Sequence, residues 1–183
     1  MAFIWASSYP LGRILAPYDV PSVVVFFRLV VALMVLLVIA RWRGELVFRL
    51  TPREISIFFL LGFSGFCIHN YLLFKALEYT QANTGAVING MIPILVILLD
   101  FVIFKKTISR FGLAGVAIGV AGAIIVITHG DIGSIARGDL GRGELLFLIA
   151  ISGWAVYSIA ARPLFGSVPP VMITAYTCLT GAI

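Results

Sequence analysis

The chain has 183 residues, 61% of them hydrophobic and 11% charged, with a formal net charge of +5. A soluble domain carries about 45–50% apolar and about 25% charged residues, and disorder needs low hydrophobicity with high charge, so both classes are excluded. The apolar runs are continuous, Phe111 to Thr128 holding no charge at all, which excludes the alternating pattern of a transmembrane β-barrel and leaves a polytopic, all-α membrane protein.

A spanning helix needs about 20 mostly apolar residues. In chain order, Ala2 to Ala16 reads as a shortened first span and Pro21 to Ala40 as a second, with Arg28 inside it. Ile55 to Leu77, Asn83 to Phe104 and Phe111 to Thr128 follow, then Glu144 to Ala161 and a seventh span from Pro170 that is cut short. Pro21, Pro52 and Pro169-Pro170 fall at helix starts, where a missing N–H costs little. The basic residues collect in alternate loops: Arg41, Arg43, Arg49 and Arg53, then Lys105, Lys106 and Arg110, then Arg162. By the positive-inside rule this places the N-terminus in the cytoplasm and predicts an integral protein of the cytoplasmic (inner) membrane. The positive charge is thus an orientation signal, and no nucleic-acid partner is expected. The chain starts within an apolar run and ends within another, at Cys178 to Ile183, so it reads as a clipped piece of a longer protein.

Sliding the chain by 149 residues pairs Trp5 with Trp154, Ala6 with Ala155, Arg13 with Arg162, Leu15 with Leu164 and Pro21 with Pro170. Spans one and six are then related. Five spans per unit is odd, so the second unit enters the membrane from the other side. The expected architecture is a transmembrane helix bundle of inverted-topology five-helix repeats: a first unit over 1–128, a loop over 129–143, and a truncated second unit over 144–183.

Several short motifs carry a family resemblance. They are Ile4-Trp5-Ala6-Ser7-Ser8, Phe27-Arg28-Leu29 with Ala32, and Ala76-Leu77-Glu78-Tyr79-Thr80-Gln81-Ala82. Pro93 follows, then Gly112-Leu113-Ala114-Gly115 with Gly119 and Gly122, and Trp154 restarts the pattern. In order and spacing they resemble the EamA-type domain of the drug/metabolite transporter superfamily. The resemblance implies ten spans in the whole protein, both termini in the cytoplasm, and transport of a small polar metabolite, often by export. One departure stands out: where the family usually has a glutamate after the fourth span, this chain has Phe104-Lys105-Lys106-Thr107.

An ionisable residue inside a span costs about 2.5–3.5 kcal/mol on insertion scales and needs a partner or a wet cavity. Arg28, His69, Asn70, Asn89 and Tyr9 all fall roughly 10 Å from the outer ends of their spans. With Pro93, Trp5, Trp154 and Tyr157 they form the candidate lining of a substrate cavity, Arg28 being the candidate for an anionic or carboxylate-bearing solute. Pro93 frees a carbonyl one turn earlier, around Asn89. Each residue also has a structural role open to it: Arg28 as a pairing residue, His69 as a hydrogen-bonded core residue, Pro93 as a kink. Asp100 is expected to pair with Lys105 or Lys106. Gly112, Gly115, Gly119 and Gly122 are expected to serve helix packing within the unit or in a homodimer.

Catalytic and metal motifs do not emerge: there is no HExxH or CxxC, and no cofactor is called for. The function expected is a secondary transporter working by alternating access, with membrane lipids, a small-molecule substrate and a coupling proton as partners. The alternatives are a sugar-phosphate or nucleotide-sugar exchanger of the same superfamily, a membrane-embedded enzyme, and a non-transporting membrane subunit.

Overall fold

The structure, a computed structural model, describes residues 8–47, 49–128, 130–131, 133 and 141–182. These residues form an all-helical bundle. Helix α1 (Ser8–Leu15) runs into a 3₁₀ turn (Ala16–Tyr18), and α2 (Pro21–Arg43) follows with proline at its first position and Gly44 at φ +68° as its left-handed cap. The third span runs over Pro52–Ala76 in three pieces: α3 (Pro52–Leu61), a π-helical turn (Gly62–Ile68) and α4 (His69–Ala76). The fourth is α5 (Ala82–Asn89) and α6 (Ile92–Phe104), broken between them. Helices α7 (Arg110–Ile127), α8 (Arg142–Ala160) and α9 (Pro170–Gly181) complete the described chain, with a second 3₁₀ turn (Arg162–Leu164) between α8 and α9.

Five of these segments are long and apolar enough to cross a membrane: Pro21–Arg43, Pro52–Ala76, Ala82–Phe104, Arg110–Ile127 and Arg142–Leu164. Their bounds differ by a few residues from the apolar runs in the sequence because local caps set them. Thr51 and Glu54 form a capping box, the Thr51 N–H donating to Glu54 Oε2 at 2.7 Å, so α3 starts three residues before the apolar run. Ser109 caps α7 by accepting from the Gly112 N–H at 3.1 Å.

Helix α8 is the centre of the bundle. It lies along α4, the π-turn, α5 and α6, and buries Phe147, Ala150, Ile151 and Ala155 completely. Glycines allow the approach. A Cβ on Gly65 would stand 2.5 Å from Tyr157 Cγ, and one on Gly153 would stand 2.6 Å from the Ser64 carbonyl oxygen. Helix α9 packs on the other side, with the Thr180 hydroxyl donating to Phe58 O at 2.7 Å. Helices α2 and α9 run antiparallel. Ala40, near the end of α2, shares a core with Met172 and Ile173 at the start of α9, while Ser22 and Val25 share a cavity with Gly181 and Ala182 at its end.

The ion pairs among the described residues lie at the two ends. At one end Arg13 donates to Leu77 O (2.6 Å) and Glu78 O (3.2 Å), taking carbonyls that the end of α4 leaves open. There too Lys75 bridges Asp19 (2.6 Å) and Glu78 (2.7 Å), its hydrogen bond holding the exposed Asp19 carboxyl below the usual carboxylate range. The Thr80 hydroxyl donates to the buried Glu144 carboxylate at 2.5 Å. At the other end, near the Arg41–Arg53 and Lys105–Arg110 loops, Arg162 grips Asp100 with both guanidinium nitrogens, and the Tyr176 hydroxyl donates to Val47 O.

Replacing Gly153 by leucine drives a side chain against the Ser64 backbone and is expected to destabilise the bundle by about 1–3 kcal/mol. Thermal unfolding in detergent measures this; an unchanged midpoint would show that α8 does not approach the π-turn so closely.

Candidate functional site

Two adjacent spans lose their regular winding in mid-membrane, and both irregularities have local causes. In the third span the His69 N–H bonds to Ser64 O, five residues back, which widens the turn. The carbonyls displaced there are taken up by Asn70, whose side-chain nitrogen donates to Phe66 O (3.0 Å) and Gly65 O (3.4 Å). In the fourth span Pro93 cannot donate to Asn89 O, and the helix breaks at Gly90-Met91. Pro93 therefore stands at the start of α6, beside the break it causes.

The aromatic residues collect next to the π-turn. Trp154 lies 4.9 Å from both His69 and Tyr157, ring centroid to centroid, and Phe66 lies 5.9 Å from Trp154 and 5.5 Å from Tyr157. Phe66, Trp154 and Tyr157 are half-buried, so the cluster keeps part of its surface open. His69 is fully buried, and its Nδ1 stands 2.8 Å from Ala150 O on α8.

Arg28 projects from the half-buried side of α2, the side that also carries Val24, Ala32 and Leu36. It makes no hydrogen bond or ion pair among the described residues. Tyr9, His69 and Cys178 lie within Coulombic reach of its guanidinium. The Tyr9 hydroxyl is buried without a hydrogen-bond partner among the described residues, and its ring stacks on Phe147 with centroids 6.4 Å apart. Val25, three residues before Arg28, lines a cavity of about 250 Å³ with Ser22, Phe26, Cys67, Tyr71 and Gly181.

The candidates thus separate into two kinds. Tyr9, Arg28, His69, Trp154 and Tyr157 form one neighbourhood, whereas Asn70 is spent on the backbone of its own span. The Asn89 Oδ1 is buried with no hydrogen-bond partner among the described residues, at the end of α5. Trp5 lies outside the described residues. The glycines of α7 have unequal surroundings: Gly119 meets the Ile94 side chain and Gly112 meets Ile108 and Ser109, while Gly115 and Gly122 face open space.

Asp100 pairs with Lys106 as expected, but Arg162 is a nearer partner that the expectation did not include. Both its oxygens go to Arg162, and Lys106 comes second at 3.9 Å. The flat guanidinium matches both carboxylate oxygens at once, and it also lies over the Phe104 ring, 5.6 Å from its centroid. Phe66, Phe147 and Cys178 belong to the neighbourhood without having been singled out in the sequence. For Phe66 a signal existed, since it precedes His69 by three residues on one face. Among the described residues no group of three or more His, Cys, Asp or Glu side chains could hold a metal ion.

A model of the EamA-like transporter family matches residues 1–128. The uncharacterized transporter YyaM of Bacillus subtilis is 28% identical over 97% of this chain and 58% of its own length. An S-adenosylmethionine/S-adenosylhomocysteine transporter of Chlamydia muridarum is 26% identical over 85% of this chain and 50% of its own. A WAT1-related chloroplastic protein of Arabidopsis thaliana is 25% identical over 99% of this chain and 43% of its own. The chain therefore spans about half the length of the curated relatives it matches. No solved structure matches it.

The two asparagines should respond differently to loss of their amides. Asn70→Leu strands the Phe66 and Gly65 carbonyls and is expected to cost about 1–3 kcal/mol. Asn89→Leu removes an oxygen that has no partner and should cost less; thermal unfolding of the two variants in detergent compares them, and equal losses would contradict the assignment.

Proposed function

The chain belongs to the EamA-like transporter family, and from that premise we propose that it forms part of a secondary transporter for a small polar solute bearing a carboxylate. The observation that carries this reading is Arg28, a cation inside a span that makes no ion pair or hydrogen bond among the described residues. A charge so placed needs an anionic partner or water. A substrate carboxylate supplies the first through two parallel hydrogen bonds to the guanidinium.

The surroundings support the same reading. The Tyr9 hydroxyl offers a further hydrogen bond, and Phe66, Trp154 and Tyr157 offer ring faces for a flat or cationic group. S-adenosylmethionine and S-adenosylhomocysteine, named for the Chlamydia muridarum relative, carry a carboxylate and a planar adenine ring, and they are the first solutes to test. Interrupted spans beside the cluster are the setting in which transporters build midplane sites.

In the proposed mechanism residues 1–128 form a first unit, 129–143 a connecting loop and 144–183 the start of a second, inverted unit. Rocking of the two units opens the site to each side in turn, and net movement is outward. Two features support paired units. A helix, a 3₁₀ turn and a proline-started helix recur in α1–α2 and in α8–α9, and the helices matched by the repeat, α2 and α9, lie antiparallel. The excess of arginine and lysine at one end supports a cytoplasmic N-terminus in the inner membrane.

Transport assays in vesicles containing the complete protein test the site. Arg28→Ala is expected to reduce transport at least about a hundredfold, the loss of a charged hydrogen-bonded pair being worth several kcal/mol in a dry setting. Arg28→Lys retains the charge but not the paired hydrogen bonds and should fall between. Trp154→Ala should weaken binding of solutes with a ring more than of solutes without one. Unchanged transport in both Arg28→Ala and Trp154→Ala would remove the proposed site.

A further inference from the structure

The end of α6 and the start of α7 carry a cationic surface for which the transport site has no use. Lys105 closes α6 in a left-handed conformation, φ +52°, its N–H bonded to Asp100 O, which leaves its side chain on the outside of the bundle. Lys106 and Arg110 follow, also exposed, the Lys106 side chain 63% so. The local acid is already taken, because Asp100 gives both oxygens to Arg162. Lys105 and Arg110 have no ion pair among the described residues, and the first turn of α7 contains no acidic residue. Three exposed cations therefore fall within one six-residue segment, with a single carboxylate nearby that Arg162 already holds.

Apolar side chains border these cations on the bilayer side. Phe111 is 92% exposed, directly after Arg110, and Val102, Ile103 and Phe104 are exposed directly before Lys105. Helix α6 contributes no buried side chain and α7 only Ala123 and Ile127, so this flank is not covered by any other of the described residues. Cations at the water boundary with rings and branched chains just beneath them match one kind of molecule, in which an anionic group is joined to long apolar chains.

We propose that Lys105, Lys106 and Arg110, bordered by Phe104 and Phe111, bind an anionic phospholipid, with its phosphate on the cations and its acyl chains along the exposed apolar flank. Each Lys or Arg near a bilayer surface contributes attraction for anionic lipid, so removing two should be readily measurable. The segment concerned, Phe104-Lys105-Lys106-Thr107, is also where the sequence departs from the pattern it otherwise resembles.

Native mass spectrometry of the detergent-solubilised chain, titrated with phosphatidylglycerol or phosphatidylcholine, tests this independently of transport. One phosphatidylglycerol is expected to bind more tightly than phosphatidylcholine. The Lys105→Ala/Lys106→Ala variant should weaken that binding about thirtyfold. Lys105→Arg/Lys106→Arg should retain it, as should Arg41→Ala/Arg43→Ala, which removes equal charge from the same end elsewhere. Equal affinity for the two lipids, equal loss in both alanine pairs, or displacement of the lipid by inorganic phosphate would each overturn the proposal.

Discussion

A backbone carbonyl in hydrocarbon has no water to turn to, and the interior of this bundle is arranged around that constraint. Around the π-turn of the third span, side chains from nearby take up or cover the displaced groups. Asn70 serves Gly65 and Phe66, the Ser64 hydroxyl serves Leu60, and Thr180 reaches from α9 to Phe58. His69 extends the same arrangement to α8 through Ala150. These bonds hold a widened turn in place at the depth where the aromatic cluster and Arg28 are found. The candidate site and the irregular backbone are thus one structure: the π-turn sets the positions of Phe66 and His69, and α8 brings Trp154 and Tyr157 against them.

Charge follows the same economy. At one end Lys75, Asp19, Glu78 and Arg13 satisfy each other and the end of α4, and at the other Arg162 and Asp100 hold the end of α6 to the turn after α8. Both sets lie where water screens them, so they contribute register more than stability. Arg28 belongs to neither set. Its isolation is what distinguishes it: His69 and Asn70, deep in the third span, have hydrogen-bond partners, whereas Arg28 in the second span makes no ion pair or hydrogen bond among the described residues.

The fold was legible because its signals are additive along the chain. A run such as Phe111–Thr128 is long enough to span and too apolar to do anything else, and proline at residues 21, 52 and 170 marks where helices begin. The candidate site was legible only as a depth. Counting residues from span ends placed Tyr9, Arg28, His69, Asn70 and Asn89 at one level, but depth does not give the angle about a helix axis. A π-turn changes that angle by one residue, and no composition rule announces it. That is why Asn70 turned back onto its own backbone while His69, its neighbour, reached α8.

Sequence by itself determined that this chain is a helical membrane bundle, where its spans start and stop to within a few residues, which loops are basic, and that Arg28 is out of place in its span. Those properties depend on transfer free energy and local capping, which act over one turn or one span. Tertiary structure alone decided the partners: Asp100 held by Arg162 as well as by the neighbouring Lys106, Gly65 beneath Tyr157, Phe66 beside Trp154, and Gly115 facing open space despite its small-residue motif. Those choices depend on which helices meet and at what rotation, and that is settled by the packing of whole surfaces, with α8 in the middle.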